Sequence, residues 1–431
     1  ICAGGGFSKW IAGGINIIFA LLTLCVYRKI VWILSKRSQN VLLFATLAFV
    51  LSTGVLAAIS FFRMYIIAMF WITSFTYILL KKLDKPENDS CNFYFLEFSI
   101  AVLGALTHYY CIIYIVLISI TFCIIQIIDK QFKSIAKYVL TGVGSGLTAY
   151  IIFPAMIDHM FRGGRGLEAI NNLSSGTSEF IQRLMQYSSL LNREFFAGLL
   201  GYMLLFTLLV FIFYNSEKYL LKCEGIPFDT TAKQITIKEL FLILVPCSAY
   251  FIFVSKSAPY FTTRYMVPIY AVLFSAVFTI IGVFFEHAIF EKRQRFIIIS
   301  LFLSIFIMNS WKSQTWDTLY KESNTLINWS KNHSDLDCIY INDGVKWKLQ
   351  SSFLEVRNYS SVTFLQQNQL GMLSDLGISH KDQMVVLIIP ENRDEILQNI
   401  KDVYPQLTSH KEIGSFGYAR TYYLYNETLQ N

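Results

Sequence analysis

Residues 41–60 read VLLFATLAFVLSTGVLAAIS, without one charged side chain. A helix lying on a water-soluble core carries a polar stripe along its length, and this run is apolar on every face. The stretches Ile11–Leu34, Ala271–Phe285 and Phe296–Met308 extend the pattern. At a rise of about 1.5 Å per residue, about 17 to 25 apolar residues cross a hydrocarbon layer. Lipid is therefore the natural solvent of these segments.

Composition agrees. Of 431 residues, 54% are hydrophobic and 15% charged, and the charges gather in short clusters between the apolar runs. The net charge of +7 comes from Lys and Arg spread over loops, with no extended basic face or nucleic-acid motif, which argues against a nucleic-acid partner. Eight cysteines are present, and Cys25, Cys111, Cys123, Cys223 and Cys247 fall in or beside apolar runs. None forms a CxxC or a Cys/His metal spacing, so they read as small hydrophobes with no disulfide framework.

About ten spans are expected, over residues 11–34, 41–60, 64–81, 94–106, 109–128, 138–156, 196–214, 238–255, 265–285 and 296–311. Alternate loops then differ in charge. One set holds Arg28, Lys29, Lys36 and Arg37, then Lys81, Lys82 and Lys85, then Lys130, Lys133 and Lys137. It continues with Lys218, Lys222, Lys233 and Lys238, and ends with Lys292, Arg293 and Arg295. Basic residues mark the cytoplasmic side. The other loops, around Arg63, His108, 157–195 and 256–264, then face outward, as do the Ile1 end and everything after Trp311. The pair 94–106 and 109–128 is short in its first member, and broken helices of this kind often line a site.

Beyond about Lys312 the pattern changes to short alternating elements. Strands are expected at Asp337–Ile341, Ser361–Leu365, Gln383–Ile389 and Thr421–Tyr425, with amphipathic helices at Thr315–Lys331 and Arg393–Val403. The sequence thus describes an α-helical polytopic membrane protein, residues 1–311, with a small C-terminal extracytoplasmic α/β domain, residues 312–431. There, Asp343-Gly344 signals a turn, and His333, His380 and His410 are too dispersed to argue a metal site.

The unusual side chains concentrate in the outward loops. Arg63-Met64-Tyr65 opens a span with an arginine and a tyrosine, which suits an interfacial anchor and equally a cation aimed at an anionic headgroup. His108 sits in Gly104–Tyr110 between two apolar helices, where an ionisable group is costly without partners; it reads as a hydrogen-bonded structural histidine or as a donor to a phosphate or hydroxyl. Lys256–Pro268 places Lys256, Arg264, Thr262, Thr263, Tyr260 and Tyr265 at one outer boundary, a density of donors beyond what a helix-end anchor requires.

The loop Ile157–Phe195 is longer than connection requires, which suits a lid or substrate-binding role. Its Arg162-Gly163-Gly164-Arg165-Gly166 run resembles an anion nest without a Walker or Rossmann context, and Asp158 is an outer acid that also reads as a helix-end carboxylate. Glu97 lies near a cytoplasmic entry and reads as a snorkelling or paired structural group.

Taken in order, the Arg63/Tyr65 opening, the Thr107-His108-Tyr109 turn and Arg264-Tyr265-x-x-Pro268 resemble the GT-C superfamily of membrane glycosyltransferases. The likeness is to bacterial relatives of the protein O-mannosyltransferases and of the aminoarabinose transferase of lipid A, and it covers about residues 1–310. Such enzymes move a sugar from a polyprenyl-phosphate donor to a lipid, glycan or protein hydroxyl at the cell envelope, outside the cytoplasmic membrane. The resemblance implies that Arg63, Tyr65, Lys256 and Arg264 hold the donor phosphate and that His108, Tyr109 and Tyr265 line the pocket.

In that family the proposed catalytic Asp or Glu lies in a first outer loop upstream of a segment like Ile1–Ile18. The chain is therefore expected to be an N-terminally truncated member, with Asp158 the substitute acid on the outer side. Inversion of configuration is what the resemblance favours. A divalent metal stays open, because its ligand would sit in that loop.

Three rivals share parts of the pattern. A lipid-linked glycan transporter or flippase also needs many spans and outer cations, but the sequence shows no inverted repeat and few mid-span charges. Glycan polymerases and ligases share a large outer loop with arginines. A scaffold that binds wall polymer through its outer domain needs no reaction. The abundance of Asn, Lys and Ile points to a bacterial source.

Overall fold

The structure, a computed structural model, describes residues 9–60, 64–84, 91–162, 164–173, 176–199, 237–258, 263–287, 292–313, 324–342, 362–376, 382–389, 392–416 and 419–429. The chain forms two compact units, one of Ile15–Trp316 and the other of Asp317–Asn431 together with Ile1–Gly14.

The larger unit is helical. Its long elements are α1 (Lys9–Leu34), α2 (Gln39–Leu51), α3 (Thr53–Ser60), α4 (Tyr65–Asp84), α5 (Cys91–Thr107), α6 (Tyr109–Ile128) and α7 (Phe132–Ile152). Three shorter or more polar helices follow, α8 (Met156–Phe161), α9 (Gly164–Leu173) and α10 (Thr177–Phe195). Then come α11 (Ile237–Ser257), α12 (Val267–His287) and α13 (Lys292–Ser313). Among the described residues, 6 helices are long and apolar enough to cross a membrane, or 7 if α2 and α3 are one span bent by 53°. Cys91–Thr107 and Ile299–Trp311 are shorter apolar helices. The expected span 196–214 opens on a turn at Phe196–Gly198, and from Leu200 it lies outside the described residues. This is a multi-pass α-helical membrane protein.

The break at Ser52 follows from a local choice of hydrogen bonds. Ser52 adopts an extended conformation, so the helix ladder stops and leaves carbonyls of α2 free. In lipid such groups must find partners within the protein. Ser310 Oγ of α13 donates to Leu51 O at 2.9 Å, Asn309 Nδ2 reaches Thr53 Oγ1 at 2.9 Å, and Ser52 Oγ bonds Tyr270 OH of α12. Around this polar staple lies a run of rings, with Phe49, Phe274, Phe278 and Phe306 each fully or nearly buried. Edge and tilted ring pairs such as Phe49–Phe274 (6.0 Å) and Phe274–Phe278 (3.9 Å) knit α2, α12 and α13 together.

At the opposite end of α11, Lys36 Nζ lies 2.6 and 2.7 Å from the two oxygens of Glu239, which is 4% exposed. Lys36 and Arg37 turn α1 into α2 with φ of 50° and 72°, a left-handed pair that costs about 1–2 kcal/mol per residue for side chains other than glycine. The ion pair to Glu239 holds that turn against α11. Beside it, Lys238 pairs with Asp129 at the end of α6.

Close packing makes one glycine indispensable. A Cβ on Gly282 of α12 would stand 2.9 Å from Val41 Cγ1 and 3.2 Å from Phe44 Cδ1 of α2, both buried. Gly282→Leu is expected to destabilise the fold by about 2–3 kcal/mol through overpacking. Gly146→Leu, where nothing lies within 4 Å, is expected to leave thermal unfolding in detergent unchanged. Equal melting of the two variants would remove this account of the α2–α12 contact.

The smaller unit is a layered α/β domain. Strands β1 (Cys338–Asn342), β2 (Val362–Gln366), β3 (Gln383–Ile388), β4 (Ser409–Phe416) and β5 (Ala419–Tyr425) form one sheet in the order β2-β1-β3-β5-β4. The first three run parallel, and β5 and β4 are antiparallel. Helix α14 (Asn324–Asn332) and helix α15 (Arg393–Val403) cover opposite faces. Ile396, Leu397 and Ile400 of α15 pack on Ile341, Val386 and Ile388, while Trp329 of α14 packs on the face of Tyr340, Leu387 and Tyr423. Four strands fall where the period-two pattern puts them. Strand β4 is an addition, a polar edge strand whose register shifts between Glu412 and Gly414, a common device for protecting an open sheet edge. The turn Asp343-Gly344 and His380 lie outside the described residues.

Candidate functional site

His108 is the single non-helical residue between α5 and α6. Its extended backbone (φ −162°, ψ 142°) ends one helix and caps the next: its Nδ1 accepts the Tyr110 N–H at 3.1 Å, and its own N–H donates to Gly104 O at 3.1 Å. So tight a reversal needs a small residue at Gly104, where a Cβ would already touch Ile115, Cys111 and Trp71 at 3.4–3.5 Å. The cap also assigns the tautomer. With Nδ1 accepting, the neutral ring carries its proton on Nε2, leaving that N–H to donate elsewhere.

Aromatic rings gather around this histidine. Tyr110 stacks on it at 4.8 Å, Tyr65 of α4 lies 5.2 Å away and Tyr109 6.1 Å away. Tyr265 meets Tyr110 at 5.2 Å and Tyr65 at 6.4 Å. Tyr250 of α11 closes the group: its hydroxyl donates to Tyr265 O at 2.8 Å, fixing the backbone of the turn that carries Arg264. That turn, Thr263–Tyr265, is a short 3-10 element before α12, whose second residue is Pro268, a helix-start residue. The Arg264 guanidinium lies 5.3 Å over the Tyr265 ring, and its Nε is buried with no hydrogen-bond partner among the described residues.

Of the expected site residues, Tyr65, His108, Tyr109, Arg264 and Tyr265 therefore share one cluster. Lys256 sits in the last turn of α11 with its Nζ 5.6 Å over Phe180 of α10. Arg63 and residues 259–262 lie outside the described residues. Asp158 is exposed in the first turn of α8 and pairs with Arg162 at 3.2 Å, one helical turn on. The segment 157–195, expected as a long loop, holds helices α8, α9 and α10, and Gly166 has a packing reason: a Cβ there would stand 2.3 Å from Met160 O. Glu97 is 1% exposed between α5 and α7, with its Oε1 3.8 Å from where a Gly142 Cβ would stand. Among the described residues no group of three or more His, Cys, Asp or Glu could hold a metal ion.

Sequence reasoning passed over Tyr250 and Arg183. A tyrosine in the middle of an apolar helix was the available signal, since a buried hydroxyl seeks a partner. Arg183 of α10 is 6% exposed and donates to Ala258 O at the end of α11.

The whole architecture has counterparts among solved structures. It superposes on the crystal structure of ArnT from Cupriavidus metallidurans bound to undecaprenyl phosphate with a TM-score of 0.58, over 97% of this chain and 84% of that chain. The chain has the ArnT fold. Apo ArnT from the same organism superposes with a TM-score of 0.55 over the same shares, and identity to either is 10%. ArnT is a GT-C aminoarabinose transferase, so the GT-C-like architecture anticipated from the Arg63, His108 and Arg264 motifs is the one observed. At this identity the likeness to ArnT is one of fold. No protein-family model matches the chain, and no curated protein matches it in sequence.

Proposed function

We propose that this protein is a membrane glycosyltransferase that takes a sugar from a polyprenyl-phosphate donor and passes it to a hydroxyl of a lipid, glycan or protein of the cell envelope. The observation that carries this reading is the buried Arg264 Nε without a partner, set over Tyr265 beside the proton-bearing His108 Nε2. Its setting is a multi-span fold shared with ArnT, which was solved with undecaprenyl phosphate.

In the reaction an acceptor hydroxyl oxygen forms a bond to the anomeric carbon as the bond from that carbon to the phosphate oxygen breaks. The electron pair leaves on the lipid phosphate, whose charge rises from about −1 toward −2, and the acceptor's proton passes to a base. A guanidinium already out of water stabilises that growing charge more than the charge of the bound donor, which is the condition for accelerating the step. Arg264 is assigned the phosphate, with Arg63, Lys256 and the Tyr65 hydroxyl in support and His108 Nε2–H as a neutral donor. Tyr109 and Tyr265 line the sugar's approach. Asp158 stays unassigned, because its ion pair with Arg162 is exposed on α8. The loop charges support a cytoplasmic membrane with this cluster and the α/β domain on the outer side.

Two measurements on the purified chain in lipid nanodiscs test the reading. Polyprenyl phosphate is expected to bind with saturation, and a radiolabelled polyprenyl-phosphate sugar is expected to lose its label to an acceptor fraction. Failure to bind the lipid phosphate would overturn the reading. So would movement of intact donor across liposomes without loss of sugar, which would make the protein a flippase.

A further inference from the structure

We infer that Arg183 and Asn172 are positioning residues, through which helices α9 and α10 hold the phosphate-binding end of α11 and the Arg264 turn in place. The inference rests on the phosphate role proposed for Lys256 and Arg264.

The last carbonyls of a helix have no partner in their own ladder, and at the end of α11 they are buried, with Ser257 4% and Ala258 1% exposed. Two other helices satisfy them. Asn172 Nδ2 of α9 donates to Ala258 O at 3.2 Å and Ser257 O at 3.5 Å, and Arg183 Nη2 of α10 donates to Ala258 O. A cation at this place also complements the negative end of the helix dipole. Arg183 is steadied in turn by Glu179, 3.8 Å away and one turn earlier.

Helix α10 has a fixed bearing at its far end. Asn309 of α13 donates to Arg193 O at 3.4 Å, and the same amide bonds Thr53 at the α2–α3 break. Between these anchors Arg183, Tyr187 and Leu191 form one buried stripe at four-residue spacing. The helix is thus a beam pinned at both ends. It packs against the Thr263–Tyr265 turn and supplies Phe180, the ring beneath Lys256 Nζ. Both described cations assigned to the phosphate are therefore placed by α10, although Arg183 itself is committed to a backbone carbonyl. Loosening that bond shifts the cations without removing either.

The test compares wild type, Arg183→Gln, Arg183→Lys and Asn172→Ala in nanodiscs, by polyprenyl-phosphate affinity, thermal midpoint and hydrogen exchange of residues 263–266. Arg183→Gln is expected to weaken binding by ~10-fold or more in protein that is still folded, with Arg183→Lys recovering part of the loss and Asn172→Ala falling between. A merely structural role would lower the midpoint and leave the affinity of the folded fraction unchanged; that result overturns the inference while the donor reading stands. If wild type binds no lipid phosphate, the donor reading falls, and exchange decides what is left. Faster exchange at 263–266 in Arg183→Gln upholds the mechanical coupling, and unchanged exchange overturns it.

Discussion

Arg264→Ala is expected to weaken polyprenyl-phosphate binding by ~100-fold or more while the protein melts at its normal temperature. The guanidinium has its Nε buried with no acceptor among the described residues, so part of its desolvation cost is already carried by the fold. A phosphate oxygen arriving there gains a charge-assisted hydrogen bond without stripping much further water. Truncating one partner of such a pair costs about 2–5 kcal/mol, and about 1.4 kcal/mol is a factor of ten in affinity. The contact that would be lost with the side chain is the one with the Tyr265 ring at 5.3 Å, which is worth little to folding. Arg264→Lys keeps the charge but loses the planar fork, so intermediate affinity is expected. Titration of lipid phosphate into nanodiscs measures all three proteins, and alanine binding as tightly as wild type would strip Arg264 of its role.

Why the sequence spoke clearly about some of this and not the rest is a matter of range. An apolar run must be buried or lie in lipid whatever its neighbours, so the spans of α1, α4, α6, α11 and α12 could be read without knowing what packs on them. His108 was conspicuous for the same reason, as a polar group between two apolar helices. The bend at Ser52 was hidden because Val41–Ser60 is uniformly apolar, and the hydroxyls that permit the break come from Ser310 and Asn309, more than 250 positions away. Helices α8 to α10 were read as loop because their apolar stripe is narrow and their other face is polar. Arg183 looks like any surface arginine until Ala258 O is placed beside it. The pairing of Asp158 with Arg162, in contrast, is a four-residue spacing that was open to inspection once a helix was assumed. Local rules recovered what depends on a residue and its turn, and tertiary hydrogen bonds to backbone carbonyls were beyond them.

His108 poses the sharpest question, because one ring performs two separable tasks. Nδ1 caps α6, and Nε2–H is left to face a ligand. Substitution by aspartate keeps the first task, since a carboxylate accepts the Tyr110 N–H and suits a helix N-terminus. It reverses the second, because a negative oxygen would then stand where a neutral donor should meet a phosphate. Asparagine keeps the cap and still offers an N–H. The two variants are therefore expected to melt alike, within about 0.5 kcal/mol of each other, while polyprenyl-phosphate binding is ~100-fold weaker for His108→Asp than for His108→Asn. His108→Ala removes cap and donor together and is expected to lose about 1 kcal/mol of stability. If Asp and Asn bound the lipid phosphate equally, His108 would be a helix cap and nothing more, and the pocket would have to be drawn on the Arg264 side alone.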